Sequence, residues 1–140
     1  MPELRISPTA ADATILECLA TIEQTESVRI LYACESGSRA WGFASPDSDY
    51  DVRFIYVHLR NWYLSIDLER CRNVIERPIE GMLDINGWDL CKALQLMRKS
   101  NPPLFEWLHS PLAYRAQPEF RAAIMALTPA YYSPAGCAWH

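Results

Sequence analysis

Glycine is scarce in this 140-residue chain, with only 5 residues, and the charged fraction is 21%. Both values exclude a flexible or low-complexity interior. No apolar run approaches the ~20 residues that a membrane-spanning helix needs, and nothing at the start has the charged, apolar and small-residue order of a signal peptide. A CxxC pair is missing, and so is any Cys/His spacing suited to zinc. The 5 cysteines, Cys18, Cys34, Cys71, Cys91 and Cys137, are odd in number and scattered, which reads as reduced thiols in a cytoplasmic protein. Positive charge is short as well. A net charge of −4 gives no general attraction to a polyanion and argues against an indiscriminate nucleic-acid binder. There is no internal repeat.

Half of the residues are hydrophobic, enough for one α/β or α+β domain built on a small mixed sheet flanked by helices. Ser7-Pro8 reads as a cap and first turn, and Ile15, Leu19 and Ile22 follow at helical spacing, which predicts a helix ending near Thr25. Residues 28–34, VRILYAC, have the character of a strand buried on both faces. A short helix is expected over residues 38–44, ended by the turn chemistry of Ser45-Pro46-Asp47-Ser48. In the strand expected over residues 49–58, alternation sends Val52, Phe54 and Tyr56 to one face and Asp49, Asp51 and Arg53 to the other. Trp62, Tyr63 and Leu64 suit a helical turn, and residues 73–76 and 82–85 read as further strands. Asn86 can cap a helix with Asp89 at its third position and Leu90, Leu94 and Met97 as its apolar stripe. Further helices are expected after Asn101-Pro102-Pro103 and from Pro118. The domain is placed at residues 1–127, with 128–140 as a tail.

The chemistry concentrates in residues 37–54, GSRAWGFASPDSDYDVRF. Glycine at a strand-to-helix junction lets a ligand approach the backbone, and N–H groups at a helix start favour phosphate, so Gly37-Ser38 suits a triphosphate. Asp49 and Asp51, at i and i+2 on one strand face, suit magnesium, which takes hard oxygens from one or two carboxylates together with substrate phosphates. A third carboxylate from a neighbouring strand would allow two ions, and Asp84 is the candidate. Asp89 is its rival, and Glu76 a further fallback.

Each residue also has a plainer reading. Asp49 and Asp51 could open an exposed strand, Gly37 could be a helix-start glycine, Ser38 a capping hydroxyl, Asp89 a helix residue, and Arg39 and Arg53 ordinary ion-pair partners. Two adjacent carboxylates nevertheless repel one another unless a cation binds. His58 and His109 have no ligand spacing, and Trp62, Trp88 and Trp107 read as core.

Gly37-Ser38 followed by Asp49-Tyr50-Asp51-Val52 resembles the signature of the DNA polymerase beta superfamily of nucleotidyltransferases. The longer run, with DINGWDL and SNP-EWL downstream, resembles the predicted YcgL-type nucleotidyltransferases linked to bacterial RNA repair. The resemblance covers residues 28–127. It implies that Ser38 contacts the β- and γ-phosphates, that Asp49 and Asp51 bind Mg2+, and that Arg39 and Arg53 neutralise charge near the triphosphate. The implied reaction moves a nucleoside monophosphate from an NTP or dNTP to a hydroxyl on an RNA end, a protein or a small molecule, with pyrophosphate released. The alternative is a regulatory or antitoxin-like binding module that retains the nucleotidyltransferase fold. Relatives of this kind continue into a further helical region, so the aromatic tail with Tyr131, Tyr132 and Trp139 suggests a chain that is catalytically incomplete by itself.

Overall fold

Strand β1 (Val28–Glu35) carries the fold because seven of its eight residues are buried, with only Arg29 exposed. The structure, a computed structural model, describes residues 10–37, 39–41, 49–67, 71–79 and 81–131. The expected cap Ser7-Pro8, Ser38 with its expected phosphate contact, the turn expected at 45–48 and the tail residues 132–140 lie outside them. Around β1 the chain runs α1 (Ala10–Glu26), β1, β2 (Tyr50–His58), α2 (Arg60–Tyr63), β3 (Val74–Glu76), β4 (Leu83–Asp89), α3 (Leu90–Arg98), α4 (Pro102–Leu108), β5 (Ala113–Ala116) and α5 (Pro118–Tyr131). The five strands form one mixed sheet in the order β3-β4-β2-β1-β5. β2 and β4 are parallel, and the other neighbouring pairs are antiparallel.

Helices cover both faces. On one, Ile15, Leu19 and Ile22 of α1 pack on Ile30, Ala33, Val52, Phe54, Tyr56 and Ile85. On the other, Ala93 and Met97 of α3, Leu104 and Leu108 of α4 and Ile124 of α5 pack on Tyr32, Cys34 and Ile55. A bulge in β1 makes this division. Ile30 pairs with Tyr56 and Tyr32 with Ile55, leaving Leu31 as the extra residue. The extra residue reverses the alternation, so that Ile30 and Ala33 face α1 while Tyr32 and Cys34 face the other helices. The Tyr32 hydroxyl ties β1 to α4 by donating to the Trp107 carbonyl at 2.6 Å.

The expected cap at Asn86 is corrected. β4 continues through Asn86, Gly87 and Trp88, paired with Arg53, Phe54 and Ile55 of β2. Asp89 is the cap of α3, its side chain accepting from the Cys91 N–H at 2.8 Å. The helix buries Ala93 and Met97, whereas Leu94, expected in the apolar stripe, is 40% exposed. Strand pairing overrides a good local capping pattern because Gly87 admits the Phe54 ring: a Cβ there would stand 2.2 Å from Phe54 Cε2. Residues 39–41, expected to be helical, form a turn. α5 runs unbroken past Leu127 to Tyr131. Among the described residues no helix is long and apolar enough to cross a membrane.

Candidate active site

The sheet brings the sequence-chosen residues to one of its ends, where β1 finishes and the parallel strands β2 and β4 begin. Asp51 is the second residue of β2, and its register partner on β4 is Asp84. Residues paired across parallel strands project to the same face, so the two carboxylates stand side by side. Asp49 precedes the strand, which opens at Tyr50, and is exposed. Asp89 is the partner of Tyr56, on the opposite face, where it is buried and accepts from the Tyr63 hydroxyl at 2.6 Å. Its capping role and that hydrogen bond occupy it, and it is no part of this cluster. Glu76 is exposed on the edge strand β3, near Arg72.

Arg53 binds the neighbouring strand. Its guanidinium donates to Asp84 Oδ2 at 2.9 Å and to the Val52 and Asp84 carbonyls at 2.9 and 3.1 Å. Asn86 donates to Asp84 Oδ1 at 3.1 Å, so both Asp84 oxygens are oriented. Asp51 has no such partner in its own strand pair, and its carboxyl is pushed above its ordinary value by burial, opposed by Arg53 and reinforced by the charges of Asp84 and Asp49. Arg39 lies over the Tyr50 ring, 3.9 Å from its centroid, which places a cation beside the acidic end of β2.

Gly37 meets Asp51 directly. A Cβ at Gly37 would lie 2.2 Å from Asp51 Oδ2 and 3.0 Å from its Cγ, so the carboxylate occupies the space that any other residue would fill. The Ser36 N–H donates to the Asp51 carbonyl at 2.9 Å, closing the turn onto β2. Glu35, between this turn and the core, was not among the residues chosen from the sequence. It is fully buried, and its carboxylate accepts from the N–H groups of Gly37 and Asp51 and from the Tyr114 hydroxyl of β5. The available signal was an acidic residue following the apolar run of residues 30–34.

Over residues 11–140 the sequence matches the RNA repair pathway DNA polymerase beta family. The chain belongs to that family. It is also 61% identical over 100 residues to the uncharacterized protein YcgL of Bacillus subtilis (strain 168), a match covering 71% of this chain and 38% of that protein. The chain thus aligns with well under half of that relative's length. No solved structure matches it. The mixed sheet with helices on both faces agrees with a polymerase beta-like fold.

Among the described residues no group of three or more His, Cys, Asp or Glu side chains is placed to hold a metal ion. Magnesium does not require one, being characteristically held by one or two carboxylates completed by substrate phosphates. The hard oxygens of Asp51 and Asp49 fit such a cation, which would offset the burial and the like charges of Asp84 and Asp49 that raise the Asp51 carboxyl.

Proposed function

We propose that this domain is a magnesium-dependent nucleotidyltransferase, moving a nucleoside monophosphate from an NTP or dNTP to a hydroxyl acceptor with release of pyrophosphate. The observation that carries the reading is the packing of Asp51 against Gly37 with Asp84 across from it in register. This supports the reading because a glycine suited to close phosphate approach lies against one member of a carboxylate pair. Membership of a polymerase beta family in RNA repair supports the reaction class, and an RNA end is the favoured acceptor.

In this reading the triphosphate approaches the chain at Gly37, where no side chain stands in its way, and is held by the Ser38 hydroxyl. Asp49 and Asp51 hold Mg2+, which would neutralise the triphosphate and the leaving pyrophosphate. Without ligand Asp84 is held by Arg53 and Asn86; when Arg53 turns to the triphosphate, Asp84 would be released to join Asp49 and Asp51 at the metal. Arg39 adds a cation at the same end. The acceptor oxygen bonds to the α-phosphorus as the bond to the pyrophosphate oxygen breaks, and the acceptor's proton leaves to solvent. Positioning and charge neutralisation supply most of the acceleration in such transfers. The alternative is a binding module without catalysis, which a third carboxylate displaced from Asp49 and Asp51 would favour; Asp84 is the register partner of Asp51.

Thermal shift with each of the four ribonucleoside triphosphates, with and without Mg2+, tests the reading. Ligand at about 100 times its Kd stabilises the native state by about 2.7 kcal/mol. A shift with at least one triphosphate that needs Mg2+ is expected. No shift with any of the four or with their deoxy counterparts, or shifts indifferent to Mg2+, would overturn the proposal.

A further inference from the structure

Glu35 is an acidic residue with 0% exposure, placed where β1 enters the Gly37 turn. A buried carboxylate is costly unless its oxygens are met by donors. Here three donors meet it, and they come from three separate parts of the chain. Oε2 accepts from the Gly37 N–H at 3.0 Å and from the Asp51 N–H at 2.9 Å, while Oε1 accepts from the Tyr114 hydroxyl at 2.7 Å. One oxygen therefore spans the turn and the carboxylate strand. The backbone of Glu35 is fixed as well, since the Ser110 hydroxyl donates to its carbonyl at 2.6 Å and its N–H donates to the Leu112 carbonyl at 3.0 Å. Its side chain is thus a strut anchored in the core that reaches outward to the site.

We infer that Glu35 is a positioning residue: its Oε2 sets the separation of the Gly37 turn from Asp51, holding the triphosphate and metal halves of the site in register before any ligand binds. The inference rests on the nucleotide-binding reading above and deepens it. The close contact between Gly37 and Asp51 leaves no slack for a loose turn, and a misplacement of about 1 Å in such a site can cost about a hundredfold in rate. Two oxygens on one carbon, at the reach of a glutamate, satisfy this geometry. An aspartate is one methylene too short to reach both N–H groups from the same backbone position. A glutamine can keep one oxygen on both N–H groups and turn its amide toward Tyr114, whose hydroxyl accepts as readily as it donates.

Those differences separate positioning from mere support of the core. The experiment measures Kd for each ribonucleoside triphosphate with Mg2+, together with urea stability, in the wild type, Glu35→Gln, Glu35→Asp, Glu35→Ala and Tyr114→Phe. Glu35→Gln should retain wild-type affinity. Glu35→Asp and Glu35→Ala should weaken binding by about tenfold or more. Tyr114→Phe removes the third donor without touching either site N–H, so it should lose stability while keeping affinity. If Glu35→Ala does not fold, Glu35→Asp carries the comparison. Wild-type affinity in Glu35→Asp, or equal weakening in Tyr114→Phe and Glu35→Asp, would overturn the role of Glu35 while leaving the nucleotide reading intact. A wild type that binds no triphosphate with Mg2+ would overturn that reading, and this inference with it.

Discussion

The Asp51 carboxylate rests on the bare Cα of Gly37, at a distance that a single methyl group would close to 2.2 Å. Gly37 is thus required by its own protein before any phosphate arrives. Gly37→Ala must push the Asp51 side chain out of its place, and it is expected to abolish Mg2+-dependent triphosphate binding while the chain stays folded. Ser38→Ala should be milder, costing about 1–2 kcal/mol of binding for one charge-assisted hydrogen bond. Titration calorimetry of both variants gives the order of severity. Equal and negligible losses would move the ligand elsewhere.

The raised pKa of Asp51 has a definite sign in stability. Its ordinary value is 3.8, and in the fold it lies higher, first because of burial and then because of Asp84 and Asp49. Between those two values the native state binds more protons than the unfolded state, so stability falls as pH rises through that window. Asp51→Asn holds the neutral form at every pH. The variant should gain stability over the wild type as pH rises from 4 to 7, measured by urea denaturation without divalent ions, and the gain should shrink when Mg2+ and a triphosphate are added to the wild type. A variant less stable than the wild type at pH 7 would show that the Asp51 charge is already compensated. Asp49→Asn combined with Asp51→Asn should abolish the Mg2+-dependent shift altogether.

Gly87→Ala tests the strand pairing that carries Asp84. The added methyl would meet the buried Phe54 ring at 2.2–2.4 Å, and overpacking of this kind costs about 1–3 kcal/mol. Loss of that size in urea denaturation, with weaker Mg2+-dependent binding, is expected, since Asp84 is three residues away on the same strand. Unchanged stability would mean that β4 does not sit against Phe54 as described.

Much of this arrangement was legible in the sequence, and the reasons differ by element. The α1 stripe Ile15, Leu19 and Ile22 and the alternation in β2 are local periodicities, and the structure buries the same residues. Two sites of misreading share one cause. Asn86 and Asp89 are both good caps, and the choice between them depends on the Phe54–Gly87 contact, which no local pattern encodes. Glu35 fell one residue beyond the strand expected over residues 28–34, and its partners are 2, 16 and 79 residues away. The bulge at Leu31 was hidden because a strand apolar on both faces has no alternation to break. β5, four residues between two helices, had no strand pattern of its own and exists through pairing with β1. Gly37, Asp51 and Asp84 could be singled out because residue type and spacing carry their chemistry, and the structure brings these three to one end of the sheet. Arg53 was placed on the correct face, but its grip on Asp84 required the neighbouring strand.

The most direct test of the central claim locates the cation. Mn2+, which accepts the same oxygen ligands as Mg2+, can be titrated into isotopically labelled protein with the triphosphate that gives the largest thermal shift. Paramagnetic broadening is then read at each backbone amide. The account predicts that the amides of Gly37, Tyr50, Asp51 and Asp84 broaden first, and that Asp49→Asn with Asp51→Asn removes the effect. Broadening centred on any other part of the sheet, or persisting unchanged in the double variant, would contradict it.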